Sequence, residues 1–169
     1  FDYPAHARTW VPPRFPKPNE ASHPAAVGAL AARLAGRLGG RTFVLTTTLR
    51  VLPVIAEALN QAAADAGTPL VVLVQGSHPK RSLLQRFLDT PNSVLVGSAS
   101  FWEGIDVPGA ALQCVIIDKL PFPPPHDPLV QARSKELESR GRDPFNDYYL
   151  SEAAIALKQG AGRLIRSET

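Results

Sequence analysis

Thiols are almost missing from this chain of 169 residues, with Cys114 its one cysteine. A lone thiol forms no internal disulfide and no cysteine-rich metal site. Cys114 lies inside the apolar run Leu112-Gln113-Cys114-Val115-Ile116-Ile117, where it is expected to act as a small buried hydrophobe. Long apolar stretches are missing too: nothing approaches the roughly 20 residues that span a bilayer. The opening Phe1-Asp2-Tyr3-Pro4 has neither the basic nor the apolar region of a secretory signal. Together these absences point to an intracellular, cytoplasmic setting and no membrane partner. Methionine is absent altogether, residue 1 included, which predicts a piece or a processed product of a longer chain. Net charge is small: +3, with a pI of about 9.3, compatible with nucleic acid without requiring it.

What is present suffices for one domain of ordinary size, since 44% of residues are hydrophobic. Prolines and aromatics crowd residues 1–24, predicting an extended entry segment, because proline fixes φ and lacks a donor. Alanines and leucines then recur at helical spacing to Leu38, and Gly39-Gly40 ends the run. Strands are expected at 41–45, 70–75, 93–97 and 112–118, and helices at 49–66 and 80–89. A proline-rich loop should fill 119–127, followed by helices over about 127–140 and 146–166. Strands that alternate with helices and read as continuous apolar runs imply an α/β fold with a doubly wound parallel sheet. Ligands of such sheets bind at the carboxyl ends of the strands, so the chemistry is sought in the loops that follow them.

Thr46-Thr47-Thr48 follows the first strand. Hydroxyls beside free helix N–H groups suit a phosphate, or they merely cap the helix. Gln75-Gly76-Ser77 after the second strand is a weak signal. After the third, Ser98 and Ser100 are candidates to hold a phosphate. Gly104 offers bare backbone, and Asp106 offers a carboxylate for ribose hydroxyls or for local capping. Lys119, beside the Pro121-Phe122-Pro123 corner, is either a phosphate contact or a solvated strand-end lysine. Phe122 either stacks on a base or packs beneath the prolines. His126 has no partner at metal or catalytic spacing. Finally, Gln159-Gly160-Ala161-Gly162-Arg163-Leu164-Ile165-Arg166 places Gln159, Arg163 and Arg166 on one face of a helix with 3.6 residues per turn. Guanidinium forks match phosphate oxygens. Each interior glycine costs a helix about 0.8–1.0 kcal/mol relative to alanine, and such local rule-breaking accompanies function.

In this order, the pieces resemble the second RecA-like motor domain of superfamily 2 DNA helicases of the DinG/XPD-like group, nearest its bacterial DinG/YoaA branch. Residues 98–109 are similar to helicase motif V, residues 159–166 to motif VI, and residues 43–48 to the strand-and-hydroxyl motif that touches the DNA backbone. The resemblance implies an ATP-dependent motor of two RecA-like domains closing around ATP and Mg²⁺ and moving 5′→3′ along single-stranded DNA. It implies a bacterial cytoplasmic setting. Arg166, and next Arg163, would supply the arginine finger, and Gln159 would orient the γ-phosphate or the attacking water. Gly104, Asp106 and Gly162 would serve the nucleotide side, while Thr46, Thr47, Ser98, Ser100 and Lys119 would contact the DNA backbone. The phosphate cradle, the Mg²⁺-binding carboxylates and, in most members, an iron–sulfur cluster belong to the first domain, and this sequence holds none of their motifs. The resemblance therefore implies a motor domain over 25–169, truncated after motif VI and inactive alone. The alternative from another class is a stand-alone nucleic-acid-binding or protein-docking module, in which the same arginines bind DNA phosphate or an acidic partner. An RNA helicase half is a third reading.

Overall fold

Helix α1 (His23–Leu38) carries proline in its first turn, where no donor is lost, and closes at Gly39 in the left-handed region at φ 65°. These residues belong to a computed structural model that describes residues 7–98, 101, 107 and 109–162. Residues 7–22 form no helix or strand, as the proline content predicts. Among the described residues four strands follow: β1 (Thr42–Thr46), β2 (Val71–Val74), β3 (Ser93–Ser98) and β4 (Cys114–Ile117). All three pairings are parallel, in the order β2-β3-β1-β4.

The faces of the sheet are assigned by strand alternation. Val44, Val94 and Val96 pack with Val27 and Ala31 of α1 and with Ile55 and Leu59 of α2 (Leu52–Asp65). Phe43, Leu45 and Leu95 point the other way, onto Leu83 and Phe87 of α3 (Lys80–Asp89) and onto Phe101, Val107 and Leu112. The crossover from β1 to β2 runs toward one edge by way of α2. The two later crossovers run back, with α3 in the first and Phe101 and Val107 of the second packed on the opposite face. A single handedness for parallel crossovers demands that switch of face with direction. The sheet is doubly wound, as the alternation of elements predicts.

Local departures from expectation have local causes. The helix expected over 49–66 opens as a 3₁₀ turn, Leu49–Val51, before α2, whose first turn contains Pro53. Thr48 is its extended N-cap but makes no side-chain cap bond. Cys114 is half-buried rather than buried, because β4 ends the sheet among the described residues. Helix α4 (Pro128–Ser139) is capped by Asp127, whose Oδ1 accepts from the N–H groups of Leu129 (2.8 Å) and Val130 (3.3 Å). His126 beside it is exposed. The final helix starts with a π-helical turn, Phe145–Tyr149, and continues as α5 (Leu150–Ala161). The expected extension to Arg166 lies outside the described residues.

Candidate functional site at the carboxyl edge of the sheet

Register brings three strand ends level. Thr46 is opposite Ser98, and Leu45 is opposite Ile117, so the carboxyl ends of β1, β3 and β4 share one rim. Side-chain clamps hold it. Gln75, just past β2, accepts at Oε1 from the Ser98 N–H at 2.6 Å. Asp118, just past β4, accepts at Oδ1 from the N–H groups of Thr47 (3.1 Å) and Lys119 (2.9 Å). Its own N–H donates to Leu45 O at 3.0 Å. One carboxylate oxygen thus joins the hydroxyl segment after β1 to the lysine after β4.

A third group sits beneath. His23, at the start of α1, is 5% exposed. Its Nε2 lies 2.8 Å from Asp118 O and its Nδ1 lies 2.8 Å from Pro16 O. Both partners are backbone carbonyls, so the ring is held between the entry segment and the end of β4. The ring of Phe15 meets His23 edge-on at 5.5 Å. The proline-rich entry segment is thereby fastened to the same corner as Thr47 and Lys119.

Sequence-predicted residues fall unevenly on this rim. Thr46 and Ser98 are 0% and 5% exposed. The Thr46 hydroxyl turns back to donate to Thr48 O at 3.0 Å, so neither side chain faces solvent in this conformation. Thr47 and Lys119 are half-buried, and the Thr47 hydroxyl is enclosed without a hydrogen-bond partner, a condition that polar groups seldom tolerate. Phe122 is 38% exposed, with its ring 5.8 Å from that of Phe145. Gln159 is exposed on α5, and Gly162 ends that helix, its N–H donating to Lys158 O at 2.8 Å. Ser100, Gly104, Asp106, Arg163 and Arg166 lie outside the described residues. The sequence reading missed Asp118 and His23 and gave Gln75 little weight. The available signal was a polar residue closing an apolar strand, at the end where such sheets bind ligands.

Burial pushes the Asp118 carboxyl above its ordinary 3.8, against the pull of the Lys119 ammonium, the Thr47 and Lys119 N–H groups and His23. With the folded pKa above the unfolded one, the folded state holds the proton more tightly. The resulting stabilisation is fully present below the unfolded pKa, near 4, and is lost as pH rises through the folded value. Asp118→Asn removes this titration. Urea midpoints of the native chain are therefore expected to fall relative to those of Asp118→Asn as pH rises from about 4 toward neutrality. Parallel midpoint curves for the two proteins would show that the carboxyl titrates alike folded and unfolded.

A depression of about 390 Å³ lined by Ser134, Glu138, Asp143, Pro144, Phe145 and Tyr149 contains none of the strand-end residues. Among the described residues, no three of His, Cys, Asp and Glu gather where a metal ion would sit. With one cysteine the chain does not fit a four-thiolate cluster. Among the described residues, no helix is long and apolar enough to cross a membrane.

The parallel α/β sheet, with its hydroxyl and lysine rim and a Gln-x-x-Gly-Arg-x-x-Arg sequence after it, defines a class: the chain belongs to the helicase C-terminal domain family, whose model matches residues 32–169. Individual relatives are similar over most of the chain. It is 41% identical to the ATP-dependent DNA helicase YoaA of Haemophilus influenzae over 169 residues, all of this chain and 26% of that protein. It is 42% identical to YoaA of Escherichia coli over 98% of this chain and 25% of the relative. It is 39% identical to the ATP-dependent helicase DinG of Mycobacterium tuberculosis over 82% of this chain and 20% of the relative. The chain thus spans about a quarter or less of the length of these relatives.

Proposed function

We propose that this chain is the second motor domain of an ATP-dependent 5′→3′ DNA helicase, acting on ATP and Mg²⁺ held by a first RecA-like domain that it lacks. The observation that carries the reading is the shared carboxyl rim. There the end of the segment similar to the DNA-touching motif, Ser98 at the start of the motif V segment, and Asp118-Lys119 lie at one edge of the sheet. Lys119 contacts the backbone of single-stranded DNA, together with Ser100 and the Thr47 segment, whose hydroxyl is enclosed in this conformation. Thr46 and Ser98, buried here, support that edge from within. Asp106 and Gly104 link the DNA edge to the nucleotide, and Gly162 permits close approach beside motif VI.

Arg166 and Arg163 reach the phosphates in trans when the two domains close, and Gln159 orients the γ-phosphate or attacking water. The metal ion, when bound, neutralises phosphate charge. The arginines of this chain add fixed positive charge where negative charge develops in the transition state. A motor half is favoured over a docking module because the motif VI sequence, with its two arginines, follows the rim segments in the chain.

The test is ATP turnover by this chain alone, by the separately produced first domain, and by their mixture, each with and without single-stranded DNA. Silence of each part and DNA-stimulated turnover on mixing are expected. DNA binding by this chain with no turnover in a mixture containing a folded first domain would favour the binding module instead.

A further inference from the structure

We propose that Asp118 is a positioning residue for the DNA-facing rim: its Oδ1 sets the main chain of Thr47 and Lys119, so that the lysine ammonium and the threonine segment meet the same stretch of phosphate backbone. The inference rests on the reading of Lys119 and Thr47 as DNA contacts and adds a residue and a role to it.

Two amide donors from different strand ends converge on one carboxylate oxygen, at 3.1 Å from Thr47 and 2.9 Å from Lys119. Those donors are not engaged in the β-ladder, since β1 ends at Thr46 and β4 at Ile117. The main-chain bond from Asp118 N–H to Leu45 O aligns the two strands up to this point, and the Oδ1 bonds are what tie Thr47 to Lys119 beyond it. The carboxylate is itself immobilised. It is 8% exposed, its N–H is bonded to Leu45 O, and its carbonyl receives His23 Nε2 at 2.8 Å. A negative group beside a phosphate path is unfavourable in isolation. Its burial and its two N–H bonds hold it within the fold, and the Lys119 ammonium offsets its charge. The role needs an acceptor at Oδ1 and not a charge, which gives the conservative substitution a definite outcome.

The experiment measures single-stranded DNA affinity as a function of salt, by anisotropy of a labelled oligonucleotide, for the full-length protein and its variants. Lys119→Ala tests the underlying reading: a slope of log K against log salt smaller by about one phosphate contact is expected. Unchanged affinity and slope for both Lys119→Ala and Thr47→Ala would overturn that reading and this proposal with it. Given a Lys119 effect, Asp118→Ala should weaken binding by roughly tenfold and reduce the slope to a similar degree, because a displaced ammonium no longer neutralises its phosphate. Loss of folded protein alone lowers the active fraction and leaves the slope unchanged. Asp118→Asn keeps the acceptor and should restore both affinity and slope. In the double variant with Lys119→Ala, the Asp118→Ala loss should largely vanish, since the two act through one contact.

A native slope in a folded Asp118→Ala protein overturns the proposal while leaving the DNA reading intact. If the alanine variant fails to fold, Asp118→Ser replaces it. If serine fails as well, Asp118→Asn decides: folded protein with a lost slope overturns the proposal, and a native slope upholds the acceptor as sufficient.

Discussion

Arg166→Ala in the full-length protein is expected to lower ATP turnover by about 10³–10⁵-fold, the span seen when an arginine finger is removed from phosphoryl-transfer enzymes. Unwinding should disappear with it, and single-stranded DNA binding should stay nearly unchanged. The separation follows from position in the sequence. Arg166 closes the motif VI segment after α5, whereas the proposed DNA contacts follow β1, β3 and β4. Arg163→Ala should show the same pattern less severely. Lysine at 166 keeps one charge but loses the planar fork, so it should rescue little. ATPase activity of Arg166→Ala within about twofold of native, a factor far below the finger range, would remove the finger role.

A comparably large effect on stability is expected at Gly28→Leu. Gly28 sits where α1 crosses α2. A Cβ there would lie 2.5 Å from Ile55 O, 2.8 Å from the Ala58 Cβ and 2.9 Å from the Leu59 N. Two of these three are backbone atoms of a helix whose Ile55 and Leu59 are wholly buried, so no side chain can swing aside. Helix propensity alone would favour replacing this glycine by up to about 1 kcal/mol. Overpacking a close crossing costs about 3 kcal/mol or more, so the clash decides the sign. For a domain of this size the loss corresponds to a fall in Tm of roughly 6–12 °C. Calorimetry of native and variant protein checks it. An unchanged or raised Tm for Gly28→Leu would mean that the helices separate at little cost.

Much of this was legible in the sequence, and the reason differs from element to element. The strands at Thr42–Thr46 and Ser93–Ser98 announced themselves as apolar runs because both their faces are covered. Helix α1 ended where Gly39 takes its left-handed conformation. The order β2-β3-β1-β4 was not legible, because nothing local in β1 says that β3 will insert beside it before β4 arrives. For the same reason the motifs marked the rim but not what holds it. Asp118 meets Thr47 from 71 residues away, and His23 meets Asp118 from 95. The strand-end hydroxyls were visible as residue types, but their burial at Thr46 and Ser98 depends on how deeply the strands sit. The half-exposed Cys114 likewise reflects the place of β4 at the end of the sheet.

That place of β4 has a bearing on how the chain behaves in a tube. Cys114-Val115-Ile116-Ile117 is a short, uncharged, half-exposed strand that ends the sheet among the described residues. It has no lysine or proline of the kind that discourages sideways pairing. Among the described residues no further strand pairs with this side, so strand addition along it is the expected route of self-association in concentrated preparations of the chain on its own. A charged residue introduced at Gln113, exposed just before the strand, is the natural gatekeeper for keeping such a preparation monodisperse.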